Sequence, residues 1–141
     1  MHVEAVYAPD LSTRYKLPVF LSRLPAGFPS PADDHIEGKL DLNKHLIKHP
    51  AATFFVRVSG QSMLEAGIHT GDILVVDRSL EAVDGNVIVA ALDGELTVKR
   101  LYQRCKTVRL LPANKNYQPI EITEQQSFEV WSVVTNVIHA L

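Results

Sequence analysis

Cysteine is almost missing from this chain. Cys105 stands alone among 141 residues, so no intrachain disulfide can form and a reducing compartment is expected. Apolar runs long enough for a transmembrane helix are absent, and Glu4 and Asp10 stand where a signal peptide would carry positive charge and an apolar core. A soluble, cytoplasmic protein is therefore expected, not a membrane-anchored processing peptidase of the usual form. Charge of one sign is lacking too: the formal net charge is -2 and the pI about 6.3. That is a poor match for a protein that grips duplex DNA through its phosphates, which usually shows a basic excess on one face. No glycine-rich phosphate loop exists, because Gly60, Gly67 and Gly71 are each explained by turns. What remains is 46% hydrophobic residues, enough for one compact domain with a real core and too much for a disordered chain.

Proline is unevenly spread. Pro9, Pro18, Pro25, Pro29 and Pro31 are five of the chain's eight prolines, and they leave no helical periodicity in residues 1–31. That region reads as an extended arm whose apolar residues (Leu17, Val19, Phe20, Leu21, Leu24) dock on something. Ser30-Pro31 suits a helix start, with Asp33 and Asp34 near the positive end of its dipole. Capping explains those two carboxylates better than acid/base or metal chemistry. A second short helix is expected at about Leu42–Lys48, capped by Asp41.

From Thr53 onward the pattern becomes strands. Thr53–Val58, Asp72–Asp77, Asn86–Leu92, Leu96–Leu101, Thr107–Leu111 and Phe128–Val134 are rich in β-branched and apolar residues. Turn signals separate them, Asp93-Gly94 being a strong hairpin signal. The expected fold is mostly β, a compact domain of short, twisted, mainly antiparallel strands with small helices and an extended arm on the N-terminal side.

The chemistry-bearing stretch is Val58-Ser59-Gly60-Gln61-Ser62-Met63-Leu64. Gly60 breaks a strand, and a hydroxyl just past such a break projects with few neighbours, a good place for a nucleophile. Serine is a weak one until something takes its proton. Among the histidines, His45 and His49 lie four apart on the expected helix and could share a metal, but no third ligand is evident and a solvated face explains them. Cys105 has no base partner. Lys99 differs: alternation along Leu96–Leu101 puts Thr97, Lys99 and Leu101 on one face, and a solvated Arg100 would turn Lys99 inward. Burial disfavours the ammonium form, and a shift from about 10.4 to near neutrality corresponds to roughly 4–5 kcal/mol, within what burial achieves. A neutral Lys99 amine beside Ser62 could act as general base, with Thr97 orienting it by a hydrogen bond.

Three segments, Ser59-Gly60-Gln61-Ser62-Met63, Gly67 through Asp77, and Asp93-Gly94-Glu95-Leu96-Thr97-Val98-Lys99-Arg100-Leu101, resemble the LexA/UmuD family of self-cleaving serine–lysine proteins. The likeness runs from about residue 18 to the C-terminus. It implies a LexA-type peptidase domain with Ser62 as nucleophile, Lys99 as general base and the backbone amides of Gln61 and Ser62 as oxyanion donors. It also implies a scissile bond between Ala26 and Gly27, within Leu24-Pro25-Ala26-Gly27-Phe28-Pro29, where the best-known short member has cysteine in place of Ala26. Pro25 and Pro29 keep that segment extended, as strand addition to a cleft requires. Only 26 residues precede Gly27, too few for the helix-turn-helix domain of the repressors, so the resemblance is to the short, UmuD-like branch. The expected division is an arm, 1–26, removed by self-cleavage, and a peptidase-like β domain, 27–141.

By the same resemblance the partners are a second copy of the chain, a RecA–single-stranded DNA filament that promotes cleavage after DNA damage, and a Y-family translesion polymerase of the UmuC type. No cofactor, metal or sequence-specific DNA contact is implied. Two other classes compete: a non-catalytic interaction module whose arm binds a partner, and a single-stranded nucleic-acid-binding barrel, for which Tyr102 with Arg100 and Arg104 is the only suitable cluster.

Overall fold

The computed structural model describes residues 1–12, 16–20 and 36–141. The chain packs as two units, one made of Met1–Pro9 with His49–Leu141 and the other of Asp10–Lys48. The boundary by packing thus differs from a cut at residue 26, because the first nine residues join the larger unit.

In the smaller unit, β2 (Lys16–Phe20) pairs antiparallel with β3 (Ile36–Asp41), from Lys16↔Asp41 to Phe20↔Ile36. Helix α1 (Leu42–Leu46) follows directly, and Asp41 caps it by accepting from the Asn43 N–H at 3.0 Å. The expected cap is therefore present. The helix stops at Leu46, so His45 and His49 do not share one helical face; His49 instead pairs with Asp77 at 2.5 Å. The helix expected from Ser30-Pro31, with Asp33 and Asp34, starts outside the described residues, and by Ile36 the chain is already extended.

The larger unit is a barrel. Its strands are β1 (His2–Tyr7), β4 (Thr53–Ser59), β5 (Ile73–Asp77), β6 (Val87–Leu92), β7 (Glu95–Arg104), β8 (Thr107–Leu111), β9 (Ile120–Glu121) and β10 (Phe128–Ile138). Neighbours follow the order β1-β4-β5-β10-β6-β7-β8-β9, and β1 also meets β7 at His2↔Thr97, which closes the ring. All pairings are antiparallel. Closure leaves β8 and β9 as an extension beside β7 and removes most open edges, the usual remedy for a sheet's unpaired backbone groups.

Period-2 alternation explains the core. Along β6, Val89 enters a cluster with Val56, Val58, Met63, Leu74, Val76 and Val98, whereas Ile88 and Ala90 enter a second with Leu101 and Leu110. Both faces of β6 and of central β7 are thus covered, which is why Asn86–Leu92 reads as a continuous apolar run. Lys99, on that stretch of β7, is thereby forced out of water, while its neighbour Arg100 stays partly exposed.

Two tight hairpins frame β7. Asp93-Gly94 takes φ of 49° and 84°, the left-handed pair its sequence announces. At the other end Cys105 and Lys106 adopt φ of 49° and 65° with no glycine between Arg104 and Thr107. A side chain held there costs about 1 kcal/mol. Lys106→Gly is expected to raise stability by roughly 0.5–1 kcal/mol, read as a higher urea midpoint at unchanged m.

Candidate active site

Strand β4 ends at Ser59, and Gly60 turns the chain with φ of 106°, a region closed to side chains. The Thr70 hydroxyl pins that turn, accepting from the Gly60 N–H at 2.9 Å and donating to the Gly60 carbonyl at 3.0 Å. Ser62 and Met63 then dive inward; Ser62 is 1% exposed and Met63 lies in the first core cluster. A single 3-10 turn, Leu64–Ala66, returns the chain and ends at Gly67 in left-handed conformation.

The loop Pro112-Ala113-Asn114 clamps this segment. The Ala113 N–H donates to the Ser62 carbonyl at 2.7 Å, the Ala113 carbonyl accepts from the Glu65 N–H at 2.7 Å, and Asn114 Nδ2 donates to the Gln61 carbonyl at 2.8 Å. In the sequence this tripeptide reads only as a turn; that it holds the serine segment has no local signal.

Lys99 arrives from β7, 6% exposed, and its Nζ donates to Ser62 Oγ at 2.6 Å. The two residues expected to meet do meet. Burial lowers the Lys99 pKa from its ordinary value, opposed in part by hydrogen bonding with a second amine. That second group is the Met1 α-amine, which donates to the same Oγ at 2.7 Å. Burial, then the hydrogen bond and charge of Lys99, bring the Met1 amine down to about 5. Two ammonium groups cannot share one hydroxyl comfortably, so at neutral pH this pair carries less than its full charge.

Thr97 departs from expectation. Its hydroxyl donates to the Met1 carbonyl at 2.8 Å, not to the Lys99 amine, because β1 lies along this part of β7 and presents an acceptor. Gln61 is exposed, with its carbonyl taken by Asn114. Ala26 and Gly27 lie outside the described residues. A cavity of about 320 Å³ opens beside Lys99, bordered by Met1, His2, Thr97, Tyr117 and Ile120.

Among the described residues one group has the composition of metal ligands: His69, Asp72 and His139, whose ligand atoms lie within 4.8 Å of one another. Both oxygens of Asp72 are already engaged, one by the His69 N–H at 2.8 Å and the other by the His139 ring at 2.5 Å. The cluster ties the turn after the serine segment to the end of β10. Burial alone would raise the Asp72 pKa, but the hydrogen bonds from the His69 N–H and His139 outweigh it and hold the carboxyl below its usual value. Asp77 is held down likewise, against burial, by Ser79 and His49. A depressed folded-state pKa gives stability that is present above about 3.9, the unfolded value, and is lost as pH falls through the folded one. Thermal melts between pH 6 and 2 are expected to show a steep acid limb, and Asp72→Asn should flatten it.

The Tyr102 cluster is internally occupied. Arg104 and Arg109 stack on its ring at 5.0 and 5.3 Å, and Arg104 pairs with Asp84 at 3.0 Å, while Arg100 donates to the Gly85 carbonyl. Ring and guanidinium groups satisfy one another, which weakens it as a base-stacking platform.

A family model described as Peptidase S24-like matches residues 18–135. Protein MucA of Salmonella typhimurium is 43% identical over 137 residues, 96% of this chain and 93% of that protein. Protein SamA of Salmonella typhimurium strain LT2 is 49% identical over 122 residues, covering 86% and 84% of the two chains. Protein ImpA of Shigella flexneri is 44% identical over 131 residues, 93% of this chain and 89% of that one.

Proposed function

The chain belongs to the peptidase S24-like family, on its UmuD-like branch, and on that premise we propose that it is a serine–lysine endopeptidase that cuts its own arm between Ala26 and Gly27. The observation that carries this reading is the 2.6 Å contact between Lys99 Nζ and Ser62 Oγ, both buried, with the lysine pKa lowered. A lysine that is neutral at working pH accepts the serine proton, and Oγ attacks the Ala26 carbonyl carbon. The C–N bond breaks, the Gly27 nitrogen leaves with a proton returned through Lys99, and water then releases the acyl group from Ser62. The backbone amides of Gln61 and Ser62 are the oxyanion donors in this scheme, each worth about 2.7–4 kcal/mol. The Thr70 bond to the Gly60 carbonyl and the Asn114 bond to the Gln61 carbonyl support it by fixing the peptide planes that carry those two amides.

Peptidases of this family are generally self-cleaving, and the UmuD-like relatives connect the chain to SOS mutagenesis. The processed 27–141 product is then a homodimer that acts as accessory subunit of a UmuC-type translesion polymerase, with a RecA–single-stranded DNA filament as activator of cleavage. Among the described residues no helix is long and apolar enough to cross a membrane.

Incubation of purified protein across pH 7–11, followed by intact mass, tests the core of this reading. The expected result is a fragment pair 1–26 and 27–141 whose rate of appearance climbs with pH until the amine is fully neutral. Cutting at another bond, or a rate that falls with pH, would reject it.

A further inference from the structure

Strand β1 sits where a peptide substrate has to sit. It runs antiparallel along β4 from His2↔Ser59 to Tyr7↔Phe55 and reaches across to β7, where the Met1 carbonyl accepts from the Val98 N–H at 3.1 Å and from the Thr97 hydroxyl. It therefore fills the gap between the two strands that flank Ser62, with the hydrogen bonding that a peptide adding to a sheet edge would use. The place is built for close approach. A side chain at Gly60 would put a carbon 3.2 Å from Met1 Cα, and Met1 is itself only 6% exposed, packed in the first core cluster.

The chemistry of the contact is informative. When a peptide bond is cut, the group that leaves the carbonyl carbon, next to the serine oxygen, is a primary amine at the head of an extended product strand. The Met1 amine, 2.7 Å from Ser62 Oγ at the head of β1, has that chemical form and that position. We infer that β1 is a resident product mimic: it occupies the leaving-group half of the peptide cleft, covers the serine, and must be displaced by the residues after the scissile bond before the chain can cut itself. This rests on the serine–lysine reading and adds a latent state to it. The family match begins at residue 18, so β1 lies ahead of the matched span.

The test uses the full-length chain and a fluorophosphonate, which reports serine reactivity without needing the arm. Ser62 Oγ bonds to phosphorus, the P–F bond breaks, fluoride leaves, and the serine proton passes to Lys99. Val3→Asp places a carboxylate where Val3 packs against the first core cluster and should unseat β1. The expected result is labelling of V3D at least tenfold faster than wild type, with none in Ser62→Ala. Equal rates in wild type and V3D would overturn the mimic and leave the peptidase reading standing. No labelling of either would remove both. Should V3D fail the circular-dichroism check of folding, the wild-type chain decides: phosphonylation is expected to strip hydrogen-exchange protection from residues 2–7 while β5 and β10 keep theirs, and unchanged protection of β1 would overturn the inference.

Discussion

Lys99→Met is expected to abolish self-cleavage while leaving the fold as stable as before, or more so. The two effects have one cause. A buried amine with no carboxylate beside it among the described residues is an expensive group, and burial lowers its pKa because the charged form is costly out of water. Because the folded-state pKa lies below the unfolded one, the folded chain holds that proton less tightly. Lys99 therefore costs stability wherever the unfolded chain is protonated, and the cost grows as pH falls from about 10.4 toward the folded value. Methionine fills similar space with no charge to desolvate, so its advantage should be greatest at neutral and acid pH and vanish in alkali. Catalytically the loss is large: removing a general base costs roughly 10²–10⁴-fold, and removing the nucleophile by Ser62→Ala more. Parallel incubations at pH 10, read by intact mass, with melting curves at pH 6 and 10, check both halves. Wild-type cutting by Lys99→Met would sink the dyad.

Met63→Ala should give the largest loss of stability close to the site. Met63 is fully buried beside Val58, Ile68, Leu74 and Val98, and the clamp from Ala113 leaves its backbone little room to close a void. Core methionine-to-alanine changes cost about 2–5 kcal/mol, and a segment that cannot collapse belongs in the upper part of that range. Urea titration gives the number if the m value is unchanged. Self-cleavage should slow as well, since Met63 anchors the residue next to it. A loss below about 1 kcal/mol would mean that the segment relaxes onto the gap, contrary to the rigidity assigned to it.

Much of the barrel was readable because its strands are short, β-branched and bounded by strong turns. Asp93-Gly94 announced its hairpin, and Lys99 could be turned inward by counting alternate residues from Arg100. What escaped was non-local. His2-Val3-Glu4-Ala5 alternates polar and apolar residues, but the partner of this strand, β4, lies about fifty residues away, and nothing in six residues names that partner. For the same reason the prolines made the whole N-terminal region look like one arm, although its first nine residues pack with the barrel. Strand β10 continues past Val134 to Ile138 because a bulge at Thr135 resets its register against β5, with the Thr135 hydroxyl donating to the Val75 carbonyl at 3.1 Å. Alternation puts Thr97 on the face of Lys99, but its hydroxyl donates to the Met1 carbonyl, which belongs to a residue at the other end of the sequence. The Met1 amine has no side-chain signature at all.

The barrel is a hoop with one thin seam. Every other join runs along several residue pairs, whereas β1 meets β7 only at His2↔Thr97 and the carbonyl beside it. A hoop parts where it is least riveted, and here the rivets are the bonds that shield the reactive hydroxyl. Gentle warming should therefore spring that seam well before the remaining staves separate, exposing the chemistry while the vessel around it still stands.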